Sequence, residues 1–345
     1  MSDDIELTEV RAQHRFDEKA LQNYLTENLD LDFSTMELLQ FEGGQSNPTF
    51  QLTTPEKKYV LRKKPPGVLL KSAHAVDREY RVISALRDTA VPVPEAFLLC
   101  QDESVIGTDF YLMEMVEGRI LADNTLPAFK APQRTALIKD FIGSLAALHS
   151  VDATAVGLET FGKPGNYYAR QIHRWSQQYI ASETDKDPAM DSLMAWLPEN
   201  IPADDDVSII HGDYRIPNCV VDPVEPKIAA VLDWELSTIG HPLADLAYWC
   251  AGEYLGETPY TEARGKQGFM SQEEVLHYYC QLTGRDQIEH WPFYLIFNLF
   301  RSAAIVQGVY KRGLEGNASS DHWQMMESLA RTSAQRGWQM VQDQT

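Results

Sequence analysis

The sequence predicts an α+β fold of two lobes, in which a β-rich N-terminal lobe is followed by a helical C-terminal lobe. From about residue 36 to residue 116 the apolar residues alternate or form short runs bounded by Gly and Pro, which is typical of strands. From about residue 133 onward the apolar residues mostly recur at helical spacing. A chain of 345 residues with 44% hydrophobic content can bury the core that such a protein needs.

The N-terminal part is expected to contain a lead-in helix and a five-stranded sheet with one helix. The lead-in helix, over residues 16–29, places Leu21, Tyr24 and Leu25 on one face. Two strands are predicted within residues 36–54 around a Gly-Gly turn, and the other strands and the helix are predicted at residues 57–64, Ala96–Leu99, Asp109–Val116 and His74–Arg87. The predicted division is a lead-in segment of residues 1–34, an N-lobe of residues 35–118 and a C-lobe of residues 119–345.

The C-lobe is expected to be mostly helical, with three short strands on either side of a polar loop. The clearest predicted helices are Thr135–His149, Tyr167–Ile180, Gln272–Gln281 and Trp291–Arg312. The predicted strands are Val207–Ile210, Cys219–Val221 and Lys227–Leu232. Polar residues follow these strands, so we expect the active site at the ends of these strands.

Composition argues against several classes of protein. A formal net charge of −20 would repel phosphate backbones and anionic membranes, so we expect neither nucleic acid nor a membrane as a partner. No apolar run is expected to reach the ~18 residues that span a bilayer, and the acidic start MSDDIELTEV does not resemble a signal peptide. Four widely spaced cysteines without a C-x-x-C pair predict neither disulfides nor a zinc site. We therefore expect a cytoplasmic protein.

The stretch IIHGDYRIPNCVVDPVEPKIAAVLDWELSTIGHPLADLAYW, residues 209–249, carries the candidate active site. Asn218 follows Asp213 by five residues, and Asp233 lies twenty residues beyond Asp213. An Asp can accept the proton of an attacking hydroxyl, while an Asn and a second Asp supply the oxygen ligands that magnesium prefers. A lone H-x-D triplet is common in turns, but the whole arrangement predicts a phosphoryl-transfer site. Asp213 would be the base, and Asn218 and Asp233 would be the metal ligands.

Small residues between the first two predicted strands form a candidate phosphate-binding loop, Gly43-Gly44-Gln45-Ser46-Asn47. Such residues let backbone N–H groups approach a phosphate closely. A Gly-Gly pair alone is more often a simple hairpin turn. In this context we predict that Gly43, Gly44, Ser46 and Asn47 contact the nucleotide.

A basic residue and an acidic residue in the N-lobe form a second candidate element of the nucleotide site. Arg62, on the third strand, is predicted to contact phosphates, with Glu79 on the following helix as its ion-pair partner. Lys63 or Lys64 could serve in place of Arg62. The backbone at the end of the last N-lobe strand is expected to hydrogen-bond an adenine ring, at Glu114, Met115 and Val116.

Other polar residues near these motifs are expected to be structural. Asp245 follows the predicted metal ligand Asp233 by twelve residues, and we predict that it caps the catalytic-loop backbone or the next helix. His149 and His173 lack metal-ligand spacing with any other His or acidic residue, so packing or capping roles are expected.

The motifs HGDYRIPN and VLDWELSTIGHPLADLAYW resemble those of the aminoglycoside phosphotransferase-like small-molecule kinases. They are most similar to the branch that includes the kinase-like domain ahead of some large acyl-CoA dehydrogenases. The similarity spans about residues 35–335 and includes VLRKKPPG, AHAVDREYRVISAL, NYYARQIHRW and FRSAAIVQGVYKR. The resemblance implies a bilobal protein-kinase-like fold that uses ATP and Mg2+, with Asp213, Asn218, Asp233 and Glu79 in the roles given above. Antibiotic-modifying members of the family carry Lys at the position of Arg62. Because a guanidinium is a fixed fork of donors and an ammonium is a point charge, we expect a different geometry of nucleotide binding.

The acceptor is expected to be a small molecule with a hydroxyl group. Gly212 stands where regulated protein kinases carry an Arg, and only twelve residues separate Asp233 from Asp245, which leaves little room to dock a peptide. Arg301 and Arg312 lie on one face of a helix that also carries apolar residues, and a buried Arg needs an anionic partner. These two residues predict an anionic hydroxy acid or hydroxyacyl-CoA, although a solvated helix face would explain them as well. An aminoglycoside acceptor and a non-catalytic, nucleotide-binding pseudokinase are the alternatives.

Overall fold

The computed structural model describes residues 6–42, 47–65, 75–255, 261–262, 267–316 and 323–344. The chain divides into two compact units. The first unit takes residues 1–122, 156–158 and 215–237, and the second takes residues 123–155, 159–214 and 238–345. Residues 215–237 therefore group with the N-terminal sheet, whereas the sequence division assigned them to the C-lobe. The predicted boundaries at residues 34 and 118 stay predictions.

An antiparallel sheet of six strands forms the main layer of the first unit. Its strands are β1 (Leu7–Thr8), β2 (Glu37–Phe41), β3 (Thr49–Thr53), β4 (Lys58–Lys63), β5 (Ala96–Cys100) and β6 (Phe110–Glu114). They are ordered β1-β2-β3-β4-β6-β5. The expectation of five strands is therefore wrong. The extra strand, β1, has two residues, too few for a period of two to be recognised in the sequence.

Among its described residues, the first unit also contains three α-helices and a second, small sheet. The helices are α1 (Glu18–Asn28), α2 (Val76–Leu86) and α3 (Glu103–Ile106). The small sheet contains β7 (Arg119–Ile120), β9 (Cys219–Val221) and β10 (Ile228–Val231), in the order β10-β9-β7. The predicted lead-in helix is confirmed as α1, and its buried residues Leu21 and Leu25 belong to the core that covers one face of the six-stranded sheet.

Where the structure describes it, the second unit is helical apart from one pair of strands. Its helices are α4 (Ala131–His149), α5 (Tyr167–Ser182), α6 (Pro188–Glu199), α7 (Leu243–Ala251), α8 (Gln272–Thr283), α9 (Trp291–Leu314) and α10 (Met325–Gln342). Strand β8 (Ser208–Ile210) pairs with β11 (Thr238–Gly240). The four helices predicted most clearly, now α4, α5, α8 and α9, are confirmed. Helix α7 has no polar face because nearly all of it is buried, so it lacks the amphipathic pattern that sequence analysis recognises.

Helix α9, the central helix of the second unit, bears on the expectation that no apolar run is long enough to span a bilayer. Among the described residues, it is the one helix whose length and composition would allow it to cross a membrane. The expectation that no apolar run reaches this length is therefore wrong. Inside the protein, 61% of its most apolar window is buried, as in the core helix of a globular protein.

His241 lies in this core, between β11 and α7. It has no exposed surface, its ring stacks on Tyr294, and its Nδ1 accepts a hydrogen bond from the backbone N–H of Leu243 at 3.3 Å. Burial lowers the pKa of His241 from 6.5 to about 4, because the charged imidazolium would lose its hydration. Its contribution to stability is thus complete above pH 6.5 and is lost as the pH falls toward 4.

We expect the free energy of unfolding to fall on acidification from pH 6.5 to pH 4, with His241 contributing up to about 3 kcal/mol of the change. The variant His241→Asn keeps an oxygen that can accept the Leu243 N–H but does not titrate in this range. Urea unfolding of both proteins across the range measures the difference. Equal pH dependence in the two proteins would rule out His241 as the titrating group.

Candidate active site

The first unit brings Asn218 and Asp233 to the same end of one hairpin. Asn218 ends a 3-10 turn directly before β9, and Asp233 follows Leu232 just after β10. The two strands pair Cys219 with Val231, and the backbone N–H of Leu232 donates to the carbonyl of Asn218 at 2.8 Å. The ladder therefore places the two predicted metal ligands next to each other, although fifteen residues separate them in the sequence.

Asp233 is held in an uncommon conformation. Its φ of +63° lies in the left-handed region, which a residue other than Gly rarely occupies, and such strain is frequent at functional sites. Its carboxylate accepts a hydrogen bond from Arg62 at 3.2 Å, and its side chain is 34% exposed. The carboxylate of Asp233 and the amide oxygen of Asn218 are the hard donors that Mg2+ takes together with phosphate oxygens and water. Across the described residues no group of three His, Cys, Asp or Glu side chains could hold a metal. The role of Asn218 and Asp233 as magnesium ligands stays a prediction.

Arg62 connects this site to the sheet and to α2. Its guanidinium donates to Glu79 at 2.9 Å as well as to Asp233, and Tyr111 donates to the other carboxylate oxygen of Glu79 at 3.3 Å. Glu79 has no exposed surface, and its burial raises its pKa above the ordinary value, opposed by the positive charge of Arg62. The ion pair between Arg62 and Glu79 exists as the sequence predicted. Its role in nucleotide binding stays a prediction.

The neighbouring lysines have other partners. Lys63 points to the opposite face of β4, where its ammonium lies over the ring of Phe16 at 5.0 Å. Lys64 forms an ion pair with Asp109 at 2.6 Å. Because each lysine has a partner away from Asp233 and Glu79, Arg62 is the basic residue of this cluster.

The other predicted nucleotide contacts fall on two segments. Gly43, Gly44 and Ser46 lie outside the described residues, whereas Asn47 is fully buried two residues before β3. At the other segment, β6 ends at Glu114, whose backbone N–H donates to the carbonyl of Glu95 at 2.8 Å. Met115 and Val116 follow outside the strand and are half-buried.

The second unit holds the loop predicted to be catalytic, His211-Gly212-Asp213, which follows β8 and which we call the catalytic loop. Asp245, at the start of α7, accepts hydrogen bonds from the backbone N–H groups of His211 at 2.6 Å and Gly212 at 2.9 Å. Gly212 has a φ of +86°, so the loop needs Gly there to turn both N–H groups toward one carboxylate. The structural role predicted for Asp245 is confirmed: it caps the catalytic loop.

Asp245 remains charged although it is buried. Burial raises its pKa, but hydrogen bonds from His149 and from the backbone of His211 outweigh this effect, so the pKa lies below its ordinary value. The Nε2 of His149 lies 3.5 Å from the carboxylate, and its Nδ1 lies 2.8 Å from the hydroxyl of Tyr279. His149 thus supports Asp245, which agrees with the packing or capping role expected for it.

Asp213 has partners that sequence analysis missed. The hydroxyl of Tyr248 donates to its Oδ1 at 2.6 Å. Tyr248 follows Asp245 by three residues in α7, so both side chains reach the catalytic loop from one face of the helix. That spacing within HPLADLAYW was a signal that could have identified Tyr248.

The two arginines predicted to bind an anionic substrate differ in their surroundings. Arg301 is half-buried, donates to the carbonyl of Gly212 at 2.8 Å, and lies over the rings of Trp175 and Tyr248. Arg312 is exposed near the end of α9. The reasoning that buried arginines on this helix need an anionic ligand is therefore wrong for Arg312, which is solvated, and Arg301 already has a carbonyl and two ring faces as partners.

The chain is similar to known proteins along most of its length. The family model described as "Phosphotransferase enzyme family" matches residues 37–286. Acyl-CoA dehydrogenase family member 10 of Mus musculus is 43% identical over 337 residues, which cover 95% of this chain and 31% of the mouse protein. The chain spans 31% of the length of this mouse protein and 44% of the length of acyl-CoA dehydrogenase family member 11 of Homo sapiens, to which it is 42% identical over 97% of its own length.

Solved structures show the same fold. A crystal structure from Ralstonia eutropha JMP134, named as a candidate aminoglycoside phosphotransferase, is 44% identical, with a TM-score of 0.88 over 95% of this chain and 99% of that one. Aminoglycoside phosphotransferase APH(4)-Ia, in a ternary complex with AMP-PNP and hygromycin B, is 16% identical, with a TM-score of 0.60 over 93% of this chain and 98% of that one. The predicted α+β, protein-kinase-like fold is thereby confirmed.

Removing one acceptor oxygen from Asp245 tests how the catalytic loop is held. Asp245→Asn keeps the size of the side chain, but its NH2 group cannot accept a backbone N–H, so a buried donor loses its partner. We expect the free energy of unfolding to fall by about 1–3 kcal/mol, measured by chemical denaturation.

Asp152→Asn is the control for the change from carboxylate to amide, because Oδ1 of the exposed Asp152 accepts two backbone N–H groups and the oxygen of an Asn can still accept both. We expect this control to change stability by less than about 1 kcal/mol. Equal losses in the two variants would contradict the role assigned to the buried carboxylate.

Proposed function

Because the chain belongs to the phosphotransferase enzyme family, we propose that it transfers the γ-phosphoryl group of ATP, in a magnesium-dependent reaction, to a hydroxyl group of a small molecule. In this reaction the acceptor oxygen forms a bond to the γ-phosphorus while the bond from that phosphorus to the β,γ-bridging oxygen breaks. ADP leaves, and the proton of the hydroxyl passes to Asp213.

The observation that supports this proposal most strongly is the position of Arg62, which contacts both Glu79 and Asp233. A basic residue paired with a buried Glu and with a metal-binding Asp is the arrangement that phosphoryl-transfer sites use to hold the phosphates and their metal ion. Bound Mg2+ would neutralise charge on the β- and γ-phosphate oxygens. Asp233 and Asn218 would hold the ion, and Arg62 would orient the Asp233 carboxylate and face the phosphates.

Asp213 would orient the acceptor hydroxyl and receive its proton. A base has to be held in a defined position to act in this way, because a displacement of about 1 Å can reduce the rate by about 100-fold. The catalytic loop meets this condition through the two backbone hydrogen bonds to Asp245 and the contact from Tyr248 to Asp213.

For the acceptor, we propose an anionic hydroxy acid or its coenzyme A thioester. The support comes from the relatives named acyl-CoA dehydrogenases, in which a segment 43% identical to this chain forms part of a longer protein. A phosphotransferase joined to such an enzyme is well placed to act on an acyl thioester that carries a hydroxyl group. Arg301 and Arg312 add no support, given the contacts described above.

A panel of acceptors tests this choice. Purified protein with Mg–ATP is assayed for ADP release and for a phosphorylated product, with hydroxyacyl-CoA thioesters, the free hydroxy acids and aminoglycosides such as kanamycin and hygromycin B. We expect turnover with at least one hydroxyacyl thioester and none with aminoglycosides. Turnover of aminoglycosides alone would replace our proposal by the alternative that the name of the Ralstonia eutropha protein suggests.

Two variants separate catalysis from nucleotide binding. We expect Asp213→Ala to lower the rate of phosphoryl transfer by about 100-fold or more, because a general base contributes about 10²–10⁴ to the rate. Its affinity for Mg–ATP should change by less than about threefold, whereas Asp233→Ala should weaken Mg-dependent nucleotide binding itself. Isothermal titration calorimetry with Mg–AMP-PNP and a coupled ADP assay provide the two measurements.

If Asp213→Ala retains full activity, Asp213 is not the base. If the unmodified protein binds Mg–AMP-PNP but consumes no ATP with any acceptor, the pseudokinase alternative is correct.

A further inference from the structure

The catalytic loop receives two side-chain contacts that its backbone anchor does not explain. We propose that Tyr248 and Arg301 are positioning residues, which together hold the carboxylate of Asp213 in one orientation. This inference rests on the proposed function, in which Asp213 is the base. It assigns a role to Arg301 that differs from binding an anionic substrate.

Tyr248 restricts the Asp213 side chain directly. Its hydroxyl donates to Oδ1 of Asp213 at 2.6 Å, which is short enough for a charge-assisted hydrogen bond. A carboxylate with one oxygen bound in this way loses most of its rotational freedom about the Cβ–Cγ bond. The orientation of its second oxygen, toward an acceptor hydroxyl, is then set before the acceptor arrives.

Arg301 restricts the backbone next to that side chain. It donates to the carbonyl oxygen of Gly212 at 2.8 Å, while Asp245 accepts the N–H of the same residue at 2.9 Å. Both polar groups of Gly212 are therefore bound to charged side chains from two different helices. The peptide bond between Gly212 and Asp213 cannot rotate without breaking the contact with Arg301.

The two positioning residues also contact each other. The guanidinium of Arg301 lies 5.5 Å from the centre of the Tyr248 ring and 5.8 Å from the centre of the Trp175 ring. Cations at these distances are attracted to the faces of aromatic rings. Arg301 thus holds the Tyr248 ring in place while it binds the loop, so the loss of either residue should disturb the other. A planar guanidinium can stack on aromatic faces and direct several hydrogen bonds from a fixed fork, whereas the ammonium of Lys acts as a point charge.

The experiment compares the full chain with the variants Tyr248→Phe, Arg301→Gln and Arg301→Lys. Tyr254→Phe is the matched control, because it removes a hydroxyl that donates to Gln272, away from the catalytic loop. Two measurements are made on each protein. Hydrogen–deuterium exchange of the amides of residues 211–214 reports on the loop independently of any acceptor, and steady-state kinetics separate kcat from the KM for Mg–ATP.

We expect Tyr248→Phe and Arg301→Gln to lower kcat by about 10- to 100-fold with a KM for Mg–ATP within about twofold of the unmodified protein. Exchange at residues 211–214 should become about tenfold faster or more in Arg301→Gln, because the loop opens more readily. Arg301→Lys can still donate to Gly212, so it should recover part of both losses. Tyr254→Phe should leave both measurements unchanged.

Three results would overturn the inference. The first is that Tyr248→Phe and Arg301→Gln change neither the exchange rate nor kcat. The second is an increase of kcat in Tyr248→Phe, and the third is a loss in Tyr254→Phe as large as the loss in Tyr248→Phe. An increase of kcat would mean that Tyr248 restrains the base. If the unmodified protein transfers no phosphoryl group but Arg301→Gln accelerates exchange at residues 211–214, the positioning role stands and the proposed function fails.

Discussion

A guanidinium removed from water has to be neutralised where it lies, and this constraint organises the first unit around Arg62. The compensating carboxylates come from Glu79 on α2 and from Asp233 after β10, so a strand, a helix and a hairpin meet at one cation. Removing one partner of a buried ion pair typically costs about 3–5 kcal/mol, because the remaining charge is left uncompensated. The residues with candidate roles in nucleotide binding are therefore also residues that the packing of this unit requires.

In the second unit the buried charge is negative, and it too has to be neutralised where it lies. Asp245 is a buried anion, and His149 and the backbone N–H groups of His211 and Gly212 satisfy it. A loop of three residues has little surface to bury, so hydrophobic packing alone cannot define its conformation. Polar contacts to rigid helices do this instead, from Asp245 and Tyr248 on α7 and from Arg301 on α9. The loop is thus held rigid by its polar contacts to the helices of the core.

Helices and strands with a periodic apolar pattern in their own sequence could be predicted, whereas elements that are buried on all sides could not. Strands β2 to β6 and helices α1, α2, α4, α5, α8 and α9 were predictable because their apolar residues alternate, form short bounded runs or recur at helical spacing. Helix α7 was missed because it is buried on nearly all sides. Helix α10 was also missed, and its buried residues are mostly small: Ala330, Ser333, Ala334 and Gly337, with Val341 near its end.

The sequence by itself determined which chemistry this protein is suited to, since the spacing of Asp213, Asn218 and Asp233 can be read along the chain without coordinates. Only the tertiary structure decided which basic residue contacts Asp233, because Arg62, Lys63 and Lys64 differ in their neighbours rather than in their sequence pattern. The same holds for Arg301 and Tyr248. Their partners lie 89 and 35 residues away along the chain, and contacts over such separations arise only when helices pack and select which side chains meet.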